Sequence, residues 1–378
     1  MMLIGVVAET EPRETRVAAS AETVKKFVAL GAEAAVERGA GRNAGIVDAD
    51  YAAAGARLVS AAEALGADVI LKVRRPSGAE LGQMKRGALV VAAMDPYGHQ
   101  DAVAAMAEAG VAAFAMELLP RITRAQTMDV LSSQANLAGY RAVIDAASEY
   151  GRALPMMMTA AGAVPAAKAF IMGVGVAGLQ AIATARRLGA IVTATDVRPA
   201  TKEQVESLGA KFVAVEDEEF KQAETAGGYA KEMSDAYKAK QAALIAAHIA
   251  KQDIVIATAL IPGRPAPRLI SAEMVKSMRA GSVIVDLAVE RGGNCELARA
   301  DEVVVTDNGV RVVGNSSVTR LAATASALYA RNLYAFVETL IDKSAKTIAV
   351  NWDDELVKAT CLTRDGAIVH PNFQPKSA

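Results

Sequence analysis

Short apolar runs alternate with amphipathic stretches from the first residues of this chain. Residues 3–7 form one run, residues 20–30 carry apolar positions at helical spacing, and further runs follow at 32–37, 69–73, 89–94 and 112–116. Continuous apolar runs separated by helical stretches are the rhythm of β-α-β units, whose strands are buried on both faces of a mostly parallel sheet. Ser20, with Glu22 and Thr23 after it, reads as a helix N-cap, and Gly31 as the stop.

A proline-free stretch over 132–152 follows, with Leu137, Tyr140, Val143, Ile144 and Ala147 at three- and four-residue spacing, which predicts a long helix leading out of a first domain. A second strand series then runs through 169–172, 191–195, 212–215, 254–258 and 283–287. Another helical pattern covers 320–341, and strands are expected at 347–350 and 367–369. The expected fold is α/β: two Rossmann-like domains with mostly parallel sheets, joined by two long helices, with a cleft between them. The first domain is expected to be discontinuous, 1–133 plus 320–378, and the second to span 134–319. No fixed-period repeat or low-complexity tract interrupts this plan.

Composition narrows the function classes. In 378 residues, 41 basic side chains face 42 acidic ones, so there is no field to draw nucleic acid. The two cysteines, Cys295 and Cys361, make neither a disulfide framework nor a metal or redox spacing, which fits a reducing cytoplasm and no metal site. The N-terminus lacks a basic region ahead of its apolar residues and reaches Glu9 early, so it reads as a strand and not as a signal peptide. The longest apolar region, 153–178, is broken by Pro155, Pro165, Lys168 and several glycines, too soon for a membrane-spanning helix.

The segment AFIMGVGVAGLQAIATARRLGAIVTATDVR reads as strand, glycine turn, helix, strand and acid. Gly173 permits a tight turn, Gly175 lets backbone approach a pyrophosphate, and Gly178 lets helix and strand pack closely. Diphosphate then sits at a helix N-terminus, where N–H groups and the macrodipole favour negative charge. Asp196 closes the next strand, about 20 residues on, where a carboxylate accepts hydrogen bonds from ribose hydroxyls and repels a 2′-phosphate. That favours NAD(H), although Arg198 beside the acid is a group that also serves phosphates. The plainer reading is a glycine-rich turn of a ligand-free α/β domain.

With that fingerprint, the runs RAQTMDVLSSQANLAGYRAVIDAA, GVGVAGLQAIATARRLGA, GGYAKEM, TALIPGRPAP, VIVDLAVERGGNCEL and the terminal TRDGAIVHP together resemble the NAD(H)-binding component of proton-translocating NAD(P)+ transhydrogenases, a family related to alanine dehydrogenases. The resemblance covers essentially the whole chain. It implies that the loop RITRAQTMD reaches over the nicotinamide with Arg121, Gln126, Asp129 and the adjacent Ser132 as its polar set, and with Thr127 and Met128 among the cofactor-binding residues. An amide and a carboxylate suit the nicotinamide carboxamide, and a guanidinium suits that carboxylate. A loop whose polar residues merely cap the following helix is the alternative. The resemblance further implies a mobile loop over 224–233 closing with Gly228 and Tyr229, and contacts from Val176, Val197, Arg198 and Leu260.

The partners implied are an NADP(H)-binding component, a membrane-spanning proton-channel component and a second copy of the chain, giving a cytoplasmic protein held peripherally at the inner membrane. The implied activity is direct hydride transfer, of the Si/Re-specific kind. Two other readings are an NAD-dependent alanine or amino-acid dehydrogenase and a non-catalytic NADH-binding regulatory module. Arg16 and Lys72 resemble the substrate anchors of the dehydrogenases, and Glu290 in AVERGG resembles an acid in theirs. However, no histidine occupies the strand end at 92–95, where those enzymes carry one; His99, His248 and His370 read as structural or solvated. The sequence departs from the transhydrogenase pattern at GNSSVTRLAATAS, which lacks the usual proline-containing turn before Arg320, and MDPYGHQDAVAAM is shorter than some versions.

Overall fold

In the strand Val69–Arg74, Val69, Leu71 and Val73 enter one hydrophobic core and Ile70 enters another. The strand Ile254–Ala257 divides in the same way, Ile254 and Ile256 to one side and Val255 and Ala257 to the other. Burial on both faces is why these runs are mostly apolar, with Lys72 the buried exception, and it is the condition under which parallel strands with covering helices are stable. The computed structural model describes residues 2–223, 233–261 and 263–374. The chain is mixed α/β and divides into two compact units, Met1–Gln134 with Thr319–Ala378, and Ala135–Val318.

The first unit holds an eight-stranded sheet. Its spatial order is Ala367–Ile368, Cys361–Arg364, Ala112–Ala115, Leu89–Ala93, Val69–Arg74, Leu3–Val6, Glu33–Glu37 and Arg57–Val59. The six strands before residue 116 are parallel, and the two late ones add antiparallel. The helix Ala21–Ala29 starts as its residues dictate: the Ser20 hydroxyl accepts from the Thr23 N–H and the Thr23 hydroxyl accepts from the Ser20 N–H. Beyond it Gly31 takes a φ of 87°. The helix Ala322–Glu338 packs Tyr329, Leu333, Phe336 and Val337 onto the same core.

The second unit holds a seven-stranded sheet in the order Lys211–Phe212, Ile191–Thr195, Lys168–Met172, Ile254–Ala257, Val283–Asp286, Arg311–Val313, Val303–Val305, parallel except at the last strand. The order runs outward in opposite directions from Lys168–Met172 and Ile254–Ala257. Such a reversal leaves a crevice at the C-terminal ends of those two strands, where ligands of open α/β sheets bind. The chain leaves the first unit within the helix Val130–Glu149, two residues earlier at its start than periodicity placed it. A separate hairpin, Met157–Thr159 with Gly162–Val164, stands outside the seven-stranded sheet. The strand expected over 212–215 is shorter and earlier, because only Lys211 and Phe212 pair with their neighbour.

Candidate functional site

In the second unit the glycine turn joins the strand Lys168–Met172 to the helix Val176–Arg187, at the sheet reversal. Its three glycines do different work. Gly173 has a φ of 97°, which only glycine adopts readily. A Cβ on Gly178 would lie 1.9 Å from the Gly173 carbonyl oxygen, so Gly178 lets the first helical turn close onto the strand end. Gly175, the N-cap, has extended backbone at φ −85° and nothing within 4 Å of where a Cβ would stand. No contact inside the unit demands a glycine there, and the space kept open lies at a helix start with no capping side chain, a cradle suited to a diphosphate.

The turn is braced from both neighbouring strands. The Thr258 hydroxyl, just past Ile254–Ala257, donates to the Gly173 carbonyl at 2.9 Å. Ala259 is held by Asn294, whose side-chain oxygen accepts its N–H at 3.0 Å and whose amide donates to its carbonyl at 2.9 Å and to that of Pro267 at 2.8 Å. Asn294 itself sits in a turn gathered by the buried Asp286, which accepts from the N–H groups of Ala288 and Cys295, both at 2.8 Å. Burial pushes the Asp286 carboxyl above the ordinary range, against those hydrogen bonds. Around the turn three apolar side chains remain exposed: Val176 at 39%, Val197 at 53% and Leu260 at 53%.

Asp196 follows the strand Ile191–Thr195 and reaches back to the turn. One carboxylate oxygen accepts from the Val174 N–H at 2.7 Å and from Arg198 Nη2 at 3.0 Å; the other accepts from the Arg198 N–H and Nε, both at 2.9 Å. The carboxylate expected to face a ribose is thus already engaged by its own chain. Gly228 and Tyr229 lie outside the described residues.

In the first unit, Thr123–Met128 is a 3₁₀ helix whose i, i+3 pair Ala125 and Met128 is buried. Met128 is therefore a core side chain, leaving only its backbone for the contact expected of it. Arg121, Gln126 and Thr127 are exposed. Both Asp129 oxygens accept from Ser132, from its N–H at 2.9 Å and its hydroxyl at 2.5 Å, which caps the helix Val130–Glu149. Capping thus accounts for this pair locally. Two groups that sequence reasoning missed fix the loop: Arg124 donates to both Asp354 oxygens at 2.7 Å, and the Asn332 amide donates to the Thr127 carbonyl at 2.8 Å. No local signal marks them, since each partner lies some 200 residues away in sequence.

Arg16 and Lys72 sit in a buried charge cluster of the first unit. Glu14 receives Arg16 side-on at 2.7 and 2.6 Å and Arg74 at 2.9 Å. Lys72, 1% exposed, lies 2.7 Å from Glu80 and 3.4 Å from Glu9. Burial opposes ionisation of Glu14, but the hydrogen bonds and charge of Arg16, with Arg74 behind, hold its carboxyl below the usual range. Burial pushes Glu9 up, with Lys72 opposing. Three acids therefore face three cations. His99 rests on the Asp95 carbonyl at 2.9 Å, His248 on the Thr193 hydroxyl at 2.8 Å, and His370 near the Ala359 carbonyl at 3.2 Å, each a structural arrangement. Glu290 is exposed. Among the described residues no group of three or more His, Cys, Asp or Glu side chains could hold a metal ion.

Comparison with known proteins agrees with this architecture. The family described as alanine dehydrogenase/PNT, N-terminal domain, matches residues 5–138, and its C-terminal domain counterpart matches residues 142–371. The chain is 56% identical over 385 residues, covering all of both proteins, to the first part of NAD(P) transhydrogenase subunit alpha of Rhodospirillum rubrum. A crystal structure of transhydrogenase from Sinorhizobium meliloti superposes with a TM-score of 0.89 at 62% identity, covering 97% of this chain and 100% of that one. The alanine dehydrogenase of Mycobacterium tuberculosis is 30% identical over 303 residues, covering 79% of this chain and 75% of that protein.

Proposed function

The chain belongs to the alanine dehydrogenase/PNT family, and from that premise we propose that it is the NAD(H)-binding component of a proton-translocating NAD(P)+ transhydrogenase. Similarity along the full length of the first part of a transhydrogenase subunit alpha, at 56% identity, supports the transhydrogenase branch. The observation that carries the nucleotide reading is the open position at Gly175, a glycine that packing inside the unit does not require, at the start of a helix and at the sheet reversal. In this reading Gly173, Gly175 and Gly178 cradle the diphosphate, Asp196 takes the ribose with Val197 and Arg198 beside it, and Val176 and Leu260 give the nucleotide apolar walls. Thr127 and Met128 contribute backbone, and Gly228 and Tyr229 close over it.

When bound, this nucleotide would supply the hydride chemistry, NADH giving a hydride to NADP+ or NAD+ taking one from NADPH on a partner component. The protein's own part is orientation and exclusion of water, with no general acid or base. In this reading Gln126 orients the carboxamide, with Arg121, Asp129 and Ser132 as its supporting set; its support is local, Gln126 being exposed on a 3₁₀ helix that Arg124 and Asn332 pin from two sides. Against an amino-acid dehydrogenase stands the strand end at 92–95, which carries no histidine to accept a proton; Arg16 and Lys72 are paired inside the first unit with Glu14 and Glu80.

The test is a pair of measurements. Nicotinamide fluorescence is expected to report binding of NADH and not of NADPH; selective binding of NADPH would reverse the Asp196 assignment. Hydride transfer is expected only after an NADP(H)-binding component is added, and turnover of NAD+ with alanine by the isolated chain would make it a dehydrogenase. A regulatory module would bind NADH and transfer nothing with any partner.

The same proposal includes a second copy of the chain. The hairpin Met157–Thr159 with Gly162–Val164 exposes Met156 at 62%, Met157 at 42% and Met158 at 75%, and residues 153–167 carry no charge. A lone two-stranded hairpin is marginal in water, and an uncharged one needs cover. Introducing Met158→Asp is expected to convert a dimer into monomers in sedimentation velocity; an unchanged sedimentation coefficient would place the hairpin outside the interface. Among the described residues no helix is long and apolar enough to cross a membrane. Attachment to the inner membrane is accordingly assigned to a membrane-spanning proton-channel partner.

A further inference from the structure

We propose that the Arg198 guanidinium is a built-in occupant of the ribose position, which nucleotide must displace in order to bind. The inference rests on the nucleotide reading above and adds a step to it. A carboxylate offers about four acceptor positions. In Asp196 two are filled from the main chain, by the N–H groups of Val174 at 2.7 Å and Arg198 at 2.9 Å, and two by the Arg198 side chain, Nε at 2.9 Å and Nη2 at 3.0 Å. The main-chain pair belongs to the glycine turn and the strand end and cannot leave without unravelling both. The guanidinium pair hangs on a flexible stem.

The number matches the ligand. A ribose diol donates two hydrogen bonds, and the guanidinium donates two to the same carboxylate. The Asp196 side chain is 7% exposed and that of Arg198 30%, so the more accessible partner of the pair is the arginine. Arg198 Nη2 also donates to the Val174 carbonyl at 3.2 Å, tying strand end to turn. Binding is therefore an exchange in which one donor pair replaces another while Val174 keeps its bond. The ligand-free chain avoids an unpaired, largely buried carboxylate, and the exchange weakens apparent affinity by the share of molecules in which the pair is closed.

The proposal is tested by following Arg198 directly in the full chain labelled with ¹⁵N-arginine, its Nε–H resonance being identified by its loss in Arg198→Met. Addition of NADH is expected to shift that resonance. Arg198→Met, which keeps the apolar stem and removes the competitor, is expected to bind NADH about two- to fivefold more tightly, as befits a partly exposed ion pair. Reduced nicotinamide mononucleotide, which has no adenosine ribose, is expected to bind both chains equally. NADH binding that leaves the resonance unmoved, or weaker NADH binding by Arg198→Met, overturns the exchange while leaving the nucleotide site standing. Failure of the unmodified chain to bind NADH at all overturns the nucleotide reading beneath it.

Discussion

Replacing Gly175 with valine is expected to weaken NADH binding about 5- to 150-fold, the range that 1–3 kcal/mol of forced contact produces, while the chain melts almost as before. The backbone at Gly175 is extended, a conformation valine favours, and its Cβ would meet no atom within 4 Å. Folding loses only the difference between glycine and valine as an N-cap, below about 1 kcal/mol. The new methyl groups would stand where a diphosphate must lie against the main chain. Thermal melts and NADH fluorescence on the same preparation separate the two effects. Binding by G175V equal to that of the unmodified chain would mean that the open space serves no ligand.

Gly178→Ala is expected to behave in the opposite manner, lowering stability by about 2–3 kcal/mol and losing binding as a consequence. Its methyl would stand 1.9 Å from the Gly173 oxygen and 2.9 Å from the carbon, both main-chain atoms of a turn whose φ is fixed by another glycine. Relief requires moving the helix off the strand end, and the Thr258 hydroxyl bonded to that same oxygen would move with it. Denaturant melts read this directly. An unchanged midpoint for G178A would show that helix and turn can separate without cost.

These two glycines illustrate what can be read from residues alone. Both fall on the fingerprint, and the general roles follow from its spacing, but only the surroundings of each show that one is demanded by packing and the other is not. The central strands are legible because burial on two faces leaves a largely apolar run, unbroken at Ile254–Ala257 and interrupted only by the buried Lys72 within 69–73. The marginal strands are not. Arg57–Val59 and Arg311–Val313 are short and begin with arginine, Val303–Val305 lies at a sheet edge, and Cys361–Arg364 pairs across more than 240 residues of chain. The hairpin hides for another reason, since its uncharged stretch looks like any apolar segment until its exposure is seen.

At the site, the acid at the end of the second strand is readable, but its engagement is not. In the sequence Arg198 only complicates the choice of nucleotide, whereas in the structure it takes half the acceptor positions of Asp196. The loop over 121–129 shows the same limit. Resemblance names its polar residues, yet what holds it, Arg124 on Asp354 and Asn332 on Thr127, depends on side chains from the far end of the chain that no local pattern announces. Asp129 and Ser132, in contrast, behave as their three-residue spacing before a helix dictates.

The pairing of Arg16 and Lys72 with internal acids makes these positions interdependent. Removing one partner of a buried ion pair strands the other charge at a cost of roughly 3–5 kcal/mol, a large fraction of the roughly 5–15 kcal/mol by which a typical domain stays folded. Single substitutions at Glu14 or Glu80 are thus steep descents, and a lineage could reach an unneutralised pair only through simultaneous replacements. The cluster therefore constrains itself: each member holds its neighbour's charge, and change at one position is expected to be tolerated only with compensating change at its partner.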